Sequence, residues 1–198
     1  MNDRVLAEAI GPDSGTQLRI KQAILVVLGI AALAIAAKIR VPMWPVPATM
    51  QTFVVLTIGA GYGMRLGFMT LIGYLMIGAI GFDVFTGSSV TNYGLSYMFG
   101  ATGGYLVGYA VAVALMGYLA RLGWDRSVGR MALAALIGNV VIYAFGLPWM
   151  AYLFLADKGA AWVLQWGMTN FLVFDAIKLA LAAMLIPAVW KLVGNARG

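Results

Sequence analysis

The sequence predicts an all-α integral membrane protein, a bundle of six transmembrane helices. Three observations carry that class. Hydrophobic residues make up 63% of the 198 positions and charged residues 10%, where a soluble domain has about half and about a quarter, so the apolar excess would find no interior large enough to hide in. Mean hydropathy is +0.92. The apolar residues also fall in long runs, several of them near the length that crosses a bilayer as a helix, with short connections between. With no His and no Cys, histidine general bases, thiol nucleophiles, Cys or His zinc sites, iron–sulfur clusters and His-ligated haem are excluded.

Residues 1–19 are polar and of mixed charge, with Gly11, Pro12 and Gly15, and read as a short soluble lead-in. The first span is Ile20 to Ala37, bordered by Arg19 and Lys21. Ala34-Ile35-Ala36 resembles a signal-peptide cleavage pattern, but the run is longer than a typical hydrophobic core of such a peptide. The second and third spans, Thr49 to Tyr62 and Leu66 to Gly81, are short and separated by Gly63-Met64-Arg65, which predicts a tight antiparallel hairpin. Phe99 to Ala120, Met131 to Leu155 and Trp162 to Val193 complete the six. The membrane domain is then residues 20–193, followed by a C-terminal tail at 194–198.

Orientation follows from Lys and Arg in alternate connections. Arg4, Arg19, Lys21, Arg65, Arg121, Arg126, Arg130, Lys191 and Arg197 fall on one side; Lys38, Arg40 and Lys158 fall on the other. Both termini should therefore be cytoplasmic. That asymmetry also accounts for the net charge of +6, and with no basic block interleaved with aromatics a nucleic-acid partner is not expected. Trp124 and Trp190 then fall near the inner interface, and Trp44, Trp149 and Trp162 near the outer one.

Two outward connections stand out. RVPMWPVPA, from Arg40 to Ala48, is kept from helix by Pro42, Pro45 and Pro47 and offers Trp44 as an apolar face. Gly81 to Gly100 is about twenty residues, rich in Gly, Ser, Thr and Asn with five aromatics, and reads as a lid rather than a passive linker.

Within the spans one polar pair dominates. Asp175 and Lys178 lie in FLVFDAIKLALAAMLI, and a spacing of three puts them on one helix face. Counted along an unbroken helix from Trp162, they stand about 20 and 24 Å in, near the midplane. Ionisable residues at that depth face a bundle interior or cavity and are functional by default; a salt bridge that only fixes packing is the plainer alternative. Thr49 and Gln51 open the second span, where Thr49 either caps the helix or meets a ligand. Asn139 is read as a hydrogen bond to a neighbouring helix. Ala32 and Ala36 share a small-residue face on the first helix, suited either to partner docking or to internal packing. Gly100 to Tyr105 permits tight helix contact or backbone approach to a ligand. No G-x-x-x-x-G-K-[ST] occurs, so ATP coupling would have to come from a partner.

PVPATMQTF (Pro45 to Phe53), GATGGYLVGY (Gly100 to Tyr109) and D-x-x-K in the last span resemble the BioY family, biotin-specific substrate-binding subunits of energy-coupling factor transporters. The resemblance runs over about 170 residues. It implies a six-helix protein of the bacterial cytoplasmic membrane that binds biotin near the outward side. It also implies a transmembrane coupling protein and two ATPases as partners, with ATP hydrolysed only by them and no cofactor held by this chain. Ala32 and Ala36 take the docking role. Asp175 and Lys178 are the first ligand-binding candidates, Asp175 accepting an N–H of the ureido group and Lys178 pairing with the carboxylate; Gln51, Tyr105, Asn92, Thr49 and Trp44 follow. Two other classes compete: an intramembrane enzyme using Asp175 and Lys178 as acid and base, and a non-transporting assembly subunit. The first lacks a second buried carboxylate, and the aromatic outer loop argues against the second.

Overall fold

The computed structural model describes residues 4–87 and 92–195; the middle of the expected lid, 88–91, and the two extreme ends lie outside the described residues. The chain runs α1 (Leu6–Ala9), α2 (Gly15–Lys38), β1 (Arg40–Val41), β2 (Ala48–Thr49), α3 (Gln51–Ala79), α4 (Gly94–Met98), α5 (Gly103–Arg121), α6 (Val128–Lys158), α7 (Ala160–Gly167) and α8 (Leu172–Asn195). Single 3-10 turns lie at Trp124–Arg126 and Thr169–Phe171.

Among the described residues five helical segments are long and apolar enough to cross a membrane: Gly15–Lys38, Gln51–Ala79, Gly103–Arg121, Val128–Lys158 and Ala160–Gly194. Six were expected, and the difference lies in α3. At Gly63 the backbone leaves the helix (φ 79°, ψ 174°), a left-handed conformation that glycine adopts without a Cβ penalty. The chain folds back there. A Cβ on Gly67 would lie 3.5 Å from the Cα of Gly59, and Gln51 Nε2 stands 2.6 Å from the Tyr74 hydroxyl, whereas a straight helix would separate residues 51 and 74 by about 34 Å. Residues 51–62 and 64–79 are thus two antiparallel helices, as the hairpin expectation has it.

Close approach around this reversal is built from missing side chains. A Cβ on Gly117 of α5 would overlap Met64 N at the turn, and one on Gly59 would lie 2.7 Å from Val113 O. Farther along α5, a Cβ on Gly108 would lie 2.9 Å from Ile142 Cα, and one on Gly104 would overlap Trp149 Cβ of α6. In the Gly100 to Tyr105 stretch, Gly103 and Gly104 make tight helix contact.

Lipid-facing character shows on α2, where Ile24, Val27, Leu28 and Ile35 are 53–65% exposed, the arrangement expected when the surrounding solvent is itself apolar. Inside, one apolar cluster gathers Leu33, Val55, Leu71, Tyr74, Phe85, Tyr97, Tyr109 and Ile142. A second gathers Val5, Leu6, Leu56, Met116, Met131, Ala182 and Ile186.

Three expectations need correction. Within the lead-in, residues 10–17 are exposed, but Val5, Leu6 and Ala9 are buried, and Val5 packs over Gly63, because a short apolar turn can cover a reversal that has no side chain of its own. The fourth span begins at Gly103 rather than Phe99; Tyr93 to Gly100 instead holds the short α4. The last span is not one helix. It breaks at Met168 (φ −143°, ψ −57°) between α7 and α8, where Gly167, Thr169 and Asn170 interrupt the apolar pattern.

Candidate functional site

That break sets the geometry of the site. It puts Asp175 in the first turn of α8, where the helix N-terminus favours a carboxylate, and Lys178 one turn on, with both residues 4% exposed. Lys178 Nζ lies 2.7 Å from Asp175 Oδ1 and donates to the Thr49 carbonyl at 3.0 Å. Asp175 Oδ2 accepts from Asn139 Nδ2 at 3.2 Å and from the Tyr143 hydroxyl. Asn139 and Tyr143 are four apart on one face of α6, near its middle, so the pair stands at mid-height against α6 although it opens α8.

Asp175 and Lys178 stand at the wall of a cavity lined also by Thr52, Leu106, Asn139 and Ile142. The β1–β2 hairpin, Arg40 opposite Thr49 and Val41 opposite Ala48, lowers Val46, Pro47, Ala48 and Thr49 into it from one side. Residues 85 and 86 close another. Lys38 Nζ ties that segment down, 2.6 Å from Asp83 Oδ1 and 2.9 Å from Phe85 O. The Phe85 ring stacks on Tyr97 at 5.0 Å and meets Tyr74 edge-on at 5.4 Å. Tyr105, Tyr109, Tyr143 and Phe171 supply further aromatic wall.

The candidates from the sequence divide. Asp175, Lys178, Thr49, Gln51 and Tyr105 all line the cavity. Thr49 lies just before α3, its Oγ1 accepting from Gln51 N at 3.2 Å while its carbonyl accepts from Lys178 Nζ. Gln51 uses its amide nitrogen on the Tyr74 hydroxyl, at 2.6 Å, and on Leu33 O, at 3.4 Å, so it pins the α3 hairpin to α2. The Tyr105 hydroxyl donates to Gly167 O at 2.6 Å, filling the carbonyl left at the α7 break, while the residue lines the cavity. Asn92 and Trp44 line an outer chamber that shares Pro47, Thr86, Tyr97 and Thr102 with the cavity; Trp44 is 64% exposed and packs on Trp162 and Phe154. On α2, Ala36 is buried inside the chain, which removes it from any external docking face. Ala32 borders an apolar groove with Leu25, Phe53, Val54 and Thr57.

Sequence reasoning set Asn139 aside and missed Tyr143, Tyr109, Thr86 and Phe171. The Asn139–Tyr143 spacing of four on an apolar helix was the available signal.

Chemically, the pair at this wall is neutral overall. It offers carboxylate acceptors and ammonium donors side by side, with an amide and a phenol added, under aromatic walls. A planar polar group carrying both N–H donors and a carbonyl acceptor matches such an array.

The chain matches the model of the BioY family over residues 12–195. It is 35% identical over 168 residues to the probable biotin transporter BioY of Pyrococcus horikoshii, covering 85% of this chain and 95% of that protein. Against the biotin transporter BioY of Thermotoga maritima it is 30% identical over 162 residues, 82% of this chain and 91% of the other. A solved structure, the S-component for biotin from an ECF-type ABC transporter, superposes with a TM-score of 0.75 at 21% identity, covering 90% of this chain and 95% of that one. This last likeness shows the fold.

Proposed function

This chain belongs to the BioY family, and from that premise we propose that it takes up biotin across the membrane as the substrate-specific subunit of an ECF-type transporter. It is a transporter subunit, not an enzyme. The observation that carries the reading at the level of residues is the Asp175–Lys178 pair on the cavity wall, held by Asn139, Tyr143 and the Thr49 carbonyl. Biotin's ureido group presents two N–H donors and one carbonyl. Asp175 accepts from the former, Lys178 donates to the latter, and the ring system lies against Phe85, Tyr97 and Tyr109.

In this reading α3 counts as two crossings, giving six, and both termini are cytoplasmic, as the charge asymmetry favours. A coupling protein and two ATPases drive transport, since the sequence carries no phosphate-cradling loop of its own. Ala32, beside the apolar groove, is the docking position on α2.

The direct test is purification of the intact chain in detergent followed by mass spectrometry of the extract and calorimetric titration with biotin. Retained or saturably bound biotin is the expected result; absence of both ends the reading. For topology, Lys158→Cys should label from outside intact cells and Ser127→Cys should not. Ala32→Leu should weaken association with the coupling protein while biotin still binds.

A further inference from the structure

We propose that Arg40 and Thr86 form the subsite for the ligand's carboxylate, at the mouth of the cavity, so that Lys178 is not its counter-ion. The inference rests on the biotin reading. It starts from the charge already matched inside. Lys178 Nζ is 2.7 Å from Asp175 Oδ1 and 3.0 Å from Thr49 O, so an anion brought to it would also meet the Asp175 carboxylate. A ligand whose neutral polar head occupies that pair carries its carboxylate on a flexible chain toward the opening, and a charge leaving water needs a partner there.

Thr86 is the first part of that partner. Its side chain is 5% exposed, lines the cavity, and its Oγ1 has no hydrogen-bond partner. Among the described residues the only other such buried atom is Asp125 Oδ1, in the α5–α6 connection away from this cavity. Buried hydroxyls left unpaired are costly, and a carboxylate oxygen would accept this one.

Arg40 is the second part. Thr86 faces both the cavity and the outer chamber, and Arg40 lines that outer chamber. Its backbone is fixed by the β1–β2 pairing directly opposite Thr49, the residue whose carbonyl holds Lys178. Its guanidinium reaches within 3.3 Å of the place where a side chain on Gly87 would begin. Gly87 has φ +69° and no side chain to exclude it, so the guanidinium stands beside the residue that follows Thr86. The neighbouring charges Lys38 and Asp83 pair with each other at 2.6 Å, and among the described residues no carboxylate forms an ion pair with Arg40. A guanidinium and a hydroxyl together bind a carboxylate by charge-assisted hydrogen bonds.

Biotin and biotin amide, which has the same rings but no charge, separate the roles. Each is titrated calorimetrically into the full chain and into Arg40→Gln, Thr86→Val and Lys178→Met. The parent should prefer the acid over the amide. Arg40→Gln should lose about tenfold or more for biotin and less than about threefold for the amide, abolishing the preference. Thr86→Val, which keeps the shape and removes the hydroxyl, should cut the preference about threefold, because a hydroxyl donates more strongly to an anion than to a neutral oxygen. Amide binding by each variant serves as its folding control. An unchanged acid preference in Arg40→Gln, a parent without preference, or a preference lost specifically in Lys178→Met would each overturn the subsite while leaving the biotin reading intact. A parent that binds neither compound overturns that reading itself.

Discussion

Two buried aspartates in this chain lead different lives. Asp175 is 4% exposed and Asp125 is 1% exposed, and each lies beside a basic residue and accepts a hydrogen bond from an aromatic side chain. Asp175, however, collects Lys178 from its own helix and both Asn139 and Tyr143 from α6 around an open space. Asp125 sits in the 3-10 turn between α5 and α6. There it accepts from Trp190 Nε1 at 2.5 Å, and Arg126, 3.5 Å away from it, lies with its guanidinium 3.5 Å over the Trp190 ring. Arg126 also donates to Arg4 O at 2.8 Å. That arrangement clamps a connection to the end of α8 and to the N-terminal segment. Burial of a charge does not by itself mark a binding site; convergent polar partners around unfilled space do.

The largest expected effect breaks the comparison if it fails. Asp175→Ala should weaken biotin by at least about thirtyfold, the lower end of the 2–5 kcal/mol typical when one partner of a buried charge pair is truncated, and should weaken biotin amide equally, because the ureido group is common to both. Asp125→Ala should leave both affinities within about threefold while lowering the melting temperature. Calorimetry and thermal unfolding on the same preparations check both halves; a biotin loss in the Asp125 variant as large as in the Asp175 variant would erase the distinction drawn here.

A smaller effect sharpens it. If α6 completes the polar array, Tyr143→Phe removes one hydrogen bond to a buried carboxylate, worth about 1.5 to 3 kcal/mol where the acceptor is charged. Ligand affinity should fall about tenfold. Asn139→Leu should act in the same direction, and the two together should fall short of the sum of the singles, since both donate to one oxygen. Additive losses would mean that each contacts the ligand separately.

What the sequence disclosed follows the same division. Asp175 and Lys178 were legible because their neighbours are uninterrupted apolar residues, against which a charge is conspicuous. Asp125 was not, because RLGWDRS is polar enough to pass for solvated loop and only the fold brings Trp190 over it. The hairpin at Gly63 was legible as a helix-breaking spacing too short for anything but a reversal. The start of α8 was misjudged for a reason of scale: hydropathy averaged over a span hides one residue, Met168, whose backbone breaks the helix, although Gly167, Thr169 and Asn170 were there to be read. Tyr105 was legible as a site candidate, but not the tie of its hydroxyl to Gly167 O. Hydrogen bonds between residues far apart in sequence, 62 positions in that case, leave no local pattern.

The smallest effect concerns Asp125 and pH, and its sign tests what that buried carboxylate does. Burial pushes its carboxyl above the ordinary carboxylate value of 3.8, while the Trp190 N–H and Arg126 oppose the shift. A group whose folded value exceeds its unfolded one holds its proton longer in the folded state. As pH rises through the window from 3.8 to that raised value, the unfolded chain gives up the proton first, and stability falls. Acidification within the window should therefore relieve a cost that the clamp otherwise carries. Asp125→Asn keeps an acceptor for Trp190 without the titrating group, so it should show a flatter dependence. The measurement is the melting temperature of parent and Asp125→Asn in detergent from about pH 4 to about pH 7, read as the difference between them, which cancels the other titrating groups. The parent should lose ground to the variant as pH rises. If it gains instead, Arg126 and Trp190 outweigh burial, and the Asp125 carboxylate stabilises its end of the bundle as an ion.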